Sequence, residues 1–271
     1  MPNNSKQEKI KAFGRLLDIM DRLRKECPWD RKQTFDTIRP LTIEEAYELS
    51  EAILEKDFEK IKKELGDLLL HVVFYAKMGD EQQYFDIKDI IDALCDKLIY
   101  RHPHVFGEIK IDDPNKVKEN WEKLKLKEKG GNKTVLGGIP SSLPPVIKAY
   151  RIQEKVSNVG FDWENKQDVW EKVNEEINEA ITEAKNENTD KLEEEIGDAL
   201  FALINAARLY GIDPEKALEK TNKKFIERFN FVEKNIMKHK GGFQQATLND
   251  MEEYWNKAKK SNNEALHGSA D

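Results

Sequence analysis

Acidic residues form one pattern that occurs twice in this sequence. Glu44-Glu45-Ala46-Tyr47-Glu48 precedes Glu64-Leu65-Gly66-Asp67, and Glu175-Glu176-Ile177-Asn178-Glu179 precedes Glu195-Ile196-Gly197-Asp198. Each acidic residue of the second pattern lies 131 positions after its counterpart in the first. Because like charges at helical spacing repel each other, a repeated cluster of carboxylates indicates a bound cation.

The spacing of these acids would bring four carboxylates together in each half of the chain. Residues three apart on a helix project from the same face, and the short connection at 52–57 favours antiparallel packing of two helices. Oxygen ligands without histidine select Mg²⁺, Mn²⁺ or Ca²⁺ rather than zinc. We therefore predict two metal sites, one formed by Glu45, Glu48, Glu64 and Asp67 and the other by Glu176, Glu179, Glu195 and Asp198.

Two other interpretations of the acidic pattern are open. One is a solvated helix face, which is common in a chain with 36% charged residues. The other is a ferritin-like di-iron bundle, which requires Glu-x-x-His on two helices. The third position after Glu64 and after Glu195 is aspartate, however. The repetition in register, together with Glu-x-x-Asp, favours the site for a hard cation.

Basic residues recur in pairs as well. Lys97 and Arg101 are four apart, as are Lys224 and Arg228, and each pair follows the Glu-x-x-Asp segment. Taken alone, such pairs are typical of a helix surface. Beside a bound metal, however, they would suit phosphate, because arginine clamps oxygens bidentately and lysine acts as a point charge.

The sequence also allows predictions for several single residues. Trp121 and Trp255 come late in the two halves and could either stack on a base or simply pack. His71 lies in an apolar segment and is expected to be a core or interface side chain with its hydrogen bonds satisfied. Gly66 and Gly197 cost about 1 kcal/mol each against alanine within a helix, so we expect another helix to approach closely at both.

Apolar periodicity predicts helices throughout the chain and no strand. Thr42, followed by Glu45, fits a capping box at the start of a helix, which competes with a metal role for Glu45. The fold class is therefore all-α, with tandem helical-bundle modules separated by a Gly- and Pro-rich linker. The modules are called the first copy (8–128) and the second copy (145–260) below, with the linker at 129–144 and a tail at 261–271. Helices are predicted at about 8–25, from 42, at 58–78, 87–101, 115–128, 145–157, 167–185 and 190–209, then from Asp213-Pro214, with a last helix around Trp255.

Bulk properties exclude some classes of protein. A net charge of −7 argues against general nucleic-acid binding, which needs a basic footprint. Cys27 and Cys95 do not form a Cys-x-x-Cys pair, so a disulfide or a zinc site is not expected. The polar start and the short apolar stretches predict neither a secretion signal nor a membrane span. We expect a cytoplasmic protein.

The motifs resemble those of the MazG family of nucleoside triphosphate pyrophosphohydrolases, over roughly residues 8–260. Besides the doubled acidic pattern, the matching motifs are Cys27-Pro28-Trp29-Asp30, Arg101-His102-Pro103-His104-Val105-Phe106 and Val159-Gly160-Phe161-Asp162-Trp163. The resemblance implies an all-α, homodimeric, Mg²⁺-dependent enzyme, in which Mn²⁺ is a possible substitute. Such an enzyme cleaves nucleoside triphosphates, with ribose or deoxyribose, to the monophosphate and pyrophosphate.

The resemblance also implies roles for particular residues, with the second copy as the catalyst. The nucleotide-contacting set implied by position is Lys172, Glu175, Glu176, Lys191, Glu194, Asp198, Lys224, Arg228 and Trp255. Glu175 would orient or deprotonate the attacking water, while Lys224 and Arg228 would offset the developing charge. The first copy keeps all five acids but differs in one respect, because His102-Pro103 ends the predicted helix directly after Arg101. The alternative function is nucleotide sensing or partner binding without turnover.

Overall fold

The computed structural model describes residues 4–110, 112–113, 116–117, 120–121, 124–125, 128 and 134–267, with side chains as far as Lys260. Those residues form α-helices joined by turns and one short 3₁₀ helix, Asp30–Lys32, and no strand is found among them. The predicted all-α fold is confirmed. Much of the helix predicted at 115–128 lies outside the described residues, as does the start of the predicted linker.

The two copies share a central pair of long helices, whereas the helices before and after that pair differ in length. In the first copy the described helices are α1 (Lys6–Glu26), α2 (Phe35–Glu55), α3 (Phe58–Glu81), α4 (Ile87–Arg101) and α5 (Pro103–Phe106). In the second copy they are α6 (Pro145–Ser157), α7 (Asp168–Lys185), α8 (Thr189–Leu209), α9 (Pro214–Lys240) and α10 (Leu248–His267). Backbone contacts divide the chain between Leu124 and Lys125 into two compact units.

The same tight turn joins the two carboxylate-bearing helices in each copy. Lys56 has φ +58° and Glu187, 131 positions later, has φ +56°, a left-handed conformation that is uncommon outside glycine. The next residue caps the following helix in both copies. Asp57 accepts from the N–H groups of Glu59 and Lys60 at 3.1 Å, and Asn188 accepts from Lys191. These turns form two helical hairpins, α2–α3 and α7–α8.

The predicted start of α2 is wrong. The helix begins at Phe35, where a capping box between Thr34 and Thr37 satisfies the first N–H groups. Pro40 lies inside the helix, where its missing N–H removes one intrahelical bond without ending the helix. Thr42 therefore sits in the second turn and donates to the Ile38 carbonyl rather than capping. The predicted capping box between Thr42 and Glu45 is therefore not formed.

Each hairpin packs on its own apolar core. In the first copy, α1, α2 and α3 bury Met20, Ile38, Val73, Phe74 and Met78. In the second copy, α7 and α8 bury Val169, Val173, Ala202 and Ala206. The second core is built from smaller side chains along the hairpin, so the helices that carry the acids are held close together. None of the helices in the described part of the chain is long and apolar enough to cross a membrane.

Candidate metal and nucleotide site

Three of the four predicted metal-binding carboxylates converge in each copy. In the first copy these are Glu45 and Glu48 from α2 and Glu64 from α3, with one oxygen from each lying within 4.8 Å of the others. In the second copy the equivalent residues converge in the same way, namely Glu176, Glu179 and Glu195. Each set is called a carboxylate triad below. Asp67 and Asp198, which were also predicted as ligands, lie outside the triads.

In the triad of the first copy, burial and neighbouring carboxylates disfavour the charged form of Glu45. One oxygen of Glu45, Oε2, is buried with no hydrogen-bond partner among the described residues. Burial, followed by the charges of Asp67, Glu48 and Glu64, raises the pKa of Glu45. Lys63 partly offsets this charge, because its Nζ lies 3.1 Å from both oxygens of Glu64 and 3.5 Å from Asp67. An orphaned carboxylate oxygen beside other carboxylates is a natural ligand for a hard cation.

The triad of the second copy is offset by a different lysine. Lys172 on α7 places Nζ 2.6 Å from Glu176 and 3.0 Å from Glu175, and these two carboxylates raise its pKa. Burial is the largest cause that raises the pKa of Glu195, followed by the neighbouring Glu179. Glu176 is only 6% exposed, as is Glu64 in the first copy. Each triad therefore contains one buried, one half-buried and one exposed carboxylate, but the buried one comes from α3 in the first copy and from α7 in the second.

The two copies differ in which position supplies the lysine that pairs with the triad. The position equivalent to Lys63 holds Glu194 in the second copy, and the position equivalent to Lys172 holds Leu41 in the first. In the first copy the lysine thus pairs with the aspartate and glutamate of α3. In the second copy it pairs with Glu175, the predicted water-orienting residue. Sequence reasoning missed Lys63, although its alignment with Glu194 was a readable signal.

The predicted basic residues lie on α9 and meet the aromatic residues of α10. The guanidinium of Arg228 lies over the ring of Trp255 at 5.9 Å, and the Phe225 ring contacts the same tryptophan at 5.0 Å. The first copy repeats this pairing, with Arg101 over Trp121 at 5.8 Å. No ion pair joins Lys224 or Arg228 to the carboxylate triad within the described part of the second copy. The Arg228 Nε is buried without a hydrogen-bond partner among the described residues.

The remaining predicted contacts, Lys191 and Glu194, are exposed on the same helix as Glu195 and Asp198. They lie along α8 at positions where side chains three and four apart share a face. Trp255 is half-buried, and Phe225 and Arg228 pack against its ring. These contacts account for the buried part of the side chain.

Two predictions about neighbouring residues are corrected. His71 is buried as expected, at 7% exposure, but its Nδ1 has no hydrogen-bond partner among the described residues. Burial lowers its pKa and outweighs the charge of Asp67. Close helix approach at Gly66 and Gly197 is also wrong, since a Cβ added at either would meet no atom within 4 Å.

The open space at Gly197 leads to a stability prediction. Gly197→Ala should raise the free energy of unfolding by about 0.5–1 kcal/mol, because alanine loses less backbone entropy in a helix. Gly79→Ala is the matched control, since its Cβ would come within 2.6 Å of the Phe85 ring, and it should destabilise. Urea titration of both variants measures the change. A loss of stability in Gly197→Ala would show that another molecule approaches this position.

The site has the chemistry of a hard-cation and phosphate centre. Its potential ligands are carboxylate oxygens, and the same three positions converge in both copies. Lys224 and Arg228 lie on α9, the helix that follows α8. Carboxylate sites of this kind hold Mg²⁺ while leaving positions for water and for phosphate oxygens.

Comparison with known proteins agrees with this geometry. The family model described as the MazG nucleotide pyrophosphohydrolase domain matches the chain twice, at residues 33–106 and 164–232. A Thermotoga maritima protein named nucleoside triphosphate pyrophosphohydrolase/pyrophosphatase MazG is 46% identical over 250 residues, which are 91% of this chain and 95% of that protein. The Escherichia coli K12 nucleoside triphosphate pyrophosphohydrolase is 46% identical over 258 residues, 93% of this chain and 98% of that one. The uncharacterized Bacillus subtilis protein YabN is 42% identical over 262 residues, but this chain matches only 54% of its length.

Proposed function

This chain belongs to the MazG nucleotide pyrophosphohydrolase family, and on that premise we propose that it hydrolyses nucleoside triphosphates to the monophosphate and pyrophosphate. The relatives' names support a hydrolase acting on phosphoric anhydride bonds. We further propose that the reaction depends on Mg²⁺ and accepts both ribose and deoxyribose.

The observation that carries this proposal is the doubled carboxylate triad on paired helices. Burial, followed by the neighbouring carboxylates, raises the pKa of Glu45 and of Glu195, and a bound cation would favour their charged forms. The donor set is entirely oxygen, and in the first copy one buried oxygen has no partner among the described residues. The residues therefore fit Mg²⁺, which Glu176, Glu179 and Glu195 would hold in the second copy.

Bound there, Mg²⁺ would offset the charge of the triphosphate oxygens and polarise a water molecule. Glu175 lies beside the triad in contact with Lys172, and in our proposal it orients the attacking water and accepts its proton. Lys172 keeps Glu175 and Glu176 in place. Lys224 and Arg228 bind phosphate oxygens and offset the charge that develops as the anhydride bond breaks.

We propose that the second copy is the main catalyst. Its basic pair lies within α9, an uninterrupted helix of 27 residues, whereas α4 ends at Arg101 and the chain turns at His102. The lysine beside each triad does not distinguish the copies, because Lys63 lies 3.1 Å from Glu64 in the first and Lys172 lies 2.6 Å from Glu176 in the second. The difference in the basic helix favours substrate binding at Glu176, Glu179 and Glu195.

The exposed face of α4 supports the proposed homodimer. Ile91, Leu94 and Leu98 are 39%, 45% and 43% exposed, and an apolar stripe of this kind marks an interaction surface in a soluble domain. The cytoplasmic location and the absence of general nucleic-acid binding stay predictions.

The test is direct. The full chain is incubated with each ribo- and deoxynucleoside triphosphate with and without Mg²⁺, and pyrophosphate is measured before and after adding inorganic pyrophosphatase. We expect pyrophosphate only with Mg²⁺, and a rise in melting temperature when Mg²⁺ is added without nucleotide. Equal ionic strength supplied as KCl is the control. A protein that binds nucleotide without releasing pyrophosphate would instead support the nucleotide-sensing alternative.

A further inference from the structure

The second copy contains a cavity of about 600 Å³. Its walls come from α6, from the turn at Gly160–Glu164, from Asp168 at the start of α7 and from the second half of α8. Three of its side chains are aromatic, Phe161, Trp163 and Phe201. A cavity of this size with an aromatic lining is typical of a site for a small planar ligand.

One buried polar atom in the cavity wall has no partner. Gln153 is only 3% exposed and donates from Nε2 to the Phe201 carbonyl at 2.8 Å. Its Oε1, in contrast, has no hydrogen-bond partner among the described residues. Leaving such an oxygen unpaired is costly, and native proteins rarely do so. A donor from a bound ligand would satisfy it.

A free donor lies one helical turn further along α8. The Oδ1 of Asn205 accepts from Arg208 at 3.0 and 2.8 Å, while its Nδ2 makes no bond with the described residues. Gln153 bonds at Phe201, and Phe201 and Asn205 are four apart on one helix face. The wall thus offers an acceptor and a donor side by side, which is the pattern presented by the edge of a nucleobase.

The turn that carries the aromatic side chains is held rigidly. Gly160 adopts φ +89°, which favours glycine, and the Phe161 N–H donates to the Val156 carbonyl. Asp162 is fixed by Arg208, whose Nη1 donates to it at 2.9 Å. Burial works against ionisation of Asp162, but the hydrogen bonds from Arg208 and Ser157 prevail and lower its pKa. Phe161 is left 79% exposed at the cavity mouth.

The equivalent place in the first copy is filled differently by the described residues. The position equivalent to Asn205 holds Phe74, which is 2% exposed and packs in the core with Met20 and Met78. Around Lys77, the counterpart of Arg208, the cavity is only about 190 Å³. At this position the second copy thus carries a smaller, polar side chain in the cavity wall, where the first copy has a buried aromatic ring.

From these observations we propose that this cavity binds a nucleobase, stacked against Phe161 and Trp163 and hydrogen-bonded by Gln153 and Asn205. The choice of a nucleobase rests on the proposed function, whereas the site itself rests on the geometry. Asn205 lies seven residues after Asp198, or about 10 Å along α8 at 1.5 Å per residue. The base could belong to the substrate on the carboxylate triad or to a second nucleotide, and the experiment separates these sources.

The experiment uses nucleosides, which lack the phosphates that would bind the triad. Binding of adenosine, guanosine, cytidine, uridine and thymidine to the full chain is measured by NMR titration without Mg²⁺. We expect saturable binding of at least one nucleoside, weakened about tenfold in Phe161→Ala through loss of stacking. Asn205→Asp keeps the acceptor for Arg208 but removes the donor, so it should change which base is preferred. Phe58→Ala is the control, because Phe58 is also 79% exposed but lies in the first copy.

The outcomes separate this proposal from the proposed function. No saturable nucleoside binding, or equal binding by the wild type, Phe161→Ala and Asn205→Asp, overturns the base site. Competitive inhibition of triphosphate hydrolysis by the nucleoside would assign the cavity to the substrate's base, and non-competitive inhibition would assign it to a second nucleotide. Phe161-dependent nucleoside binding by a protein that releases no pyrophosphate would preserve the site and refute the hydrolase.

Discussion

Glu176→Gln should lower kcat/KM for Mg²⁺-dependent pyrophosphate release by at least about 100-fold. Even groups that only hold metal ligands in place typically cost 10- to 100-fold in metal affinity or activity, roughly, when removed, and Glu176 is proposed as a ligand itself. Glutamine has nearly the same shape but carries no charge, so the variant tests the charge rather than the packing. Its side chain is 6% exposed, and Lys172 would lose its 2.6 Å partner.

Steady-state kinetics at several Mg²⁺ concentrations measure this effect. We expect the Mg²⁺ requirement to shift upward and excess Mg²⁺ to restore part of the rate, while the melting temperature without Mg²⁺ stays the same or rises because a repelling charge has been removed. A loss of rate with an unchanged Mg²⁺ dependence would argue that Glu176 acts without the metal.

Glu45→Gln is the matched control, because Glu45 is the residue 131 positions before Glu176. If the second copy is the catalyst, Glu45→Gln should retain most of the pyrophosphate release. The opposite result, with Glu45→Gln inactive and Glu176→Gln active, would move catalysis to the first copy. Comparable losses in both variants would indicate that both copies contribute.

The carboxylate triads could be predicted from the sequence because they depend on local spacing. Residues three apart on one helix share a face whatever lies around them, and a short turn fixes the partner helix. Glu45, Glu48 and Glu64 therefore converge as expected. Asp67 and Asp198 do not join the triads, since their distance from the other oxygens depends on side-chain geometry that spacing alone does not set.

The start of α2 and the base cavity could not be predicted, for two different physical reasons. At α2 two capping boxes compete, and the one at Thr34 prevails since Pro40 can be tolerated within a helix. The cavity could not be predicted from local spacing, because its walls come from four separate segments of the second copy. The sequence signals were the Gly160-Phe161-Asp162-Trp163 motif, which lines the cavity, and asparagine at 205 where phenylalanine stands at 74.

Arg228→Lys should lower kcat/KM about 10- to 100-fold, although it keeps the positive charge. Hydrogen bonds to a charged group contribute about 1.5–3 kcal/mol each, and lysine cannot reproduce the bidentate geometry of a guanidinium on phosphate. The buried Nε of Arg228 has no partner among the described residues. The Trp255 ring, 5.9 Å from the guanidinium, holds the side chain in position.

Arg101→Lys provides the control, because Arg101 lies over Trp121 with almost the same geometry, at 5.8 Å. Both variants lose the same packing against an aromatic ring, so a purely structural role would affect them equally in thermal unfolding and in activity. A specific role predicts that Arg228→Lys alone weakens inhibition by pyrophosphate, the product that retains two phosphates, while nucleoside binding is unchanged. Equal and small effects of the two substitutions on kcat/KM would assign Arg228 to packing. Lys224 and the metal would then be the groups that offset the charge of the phosphates.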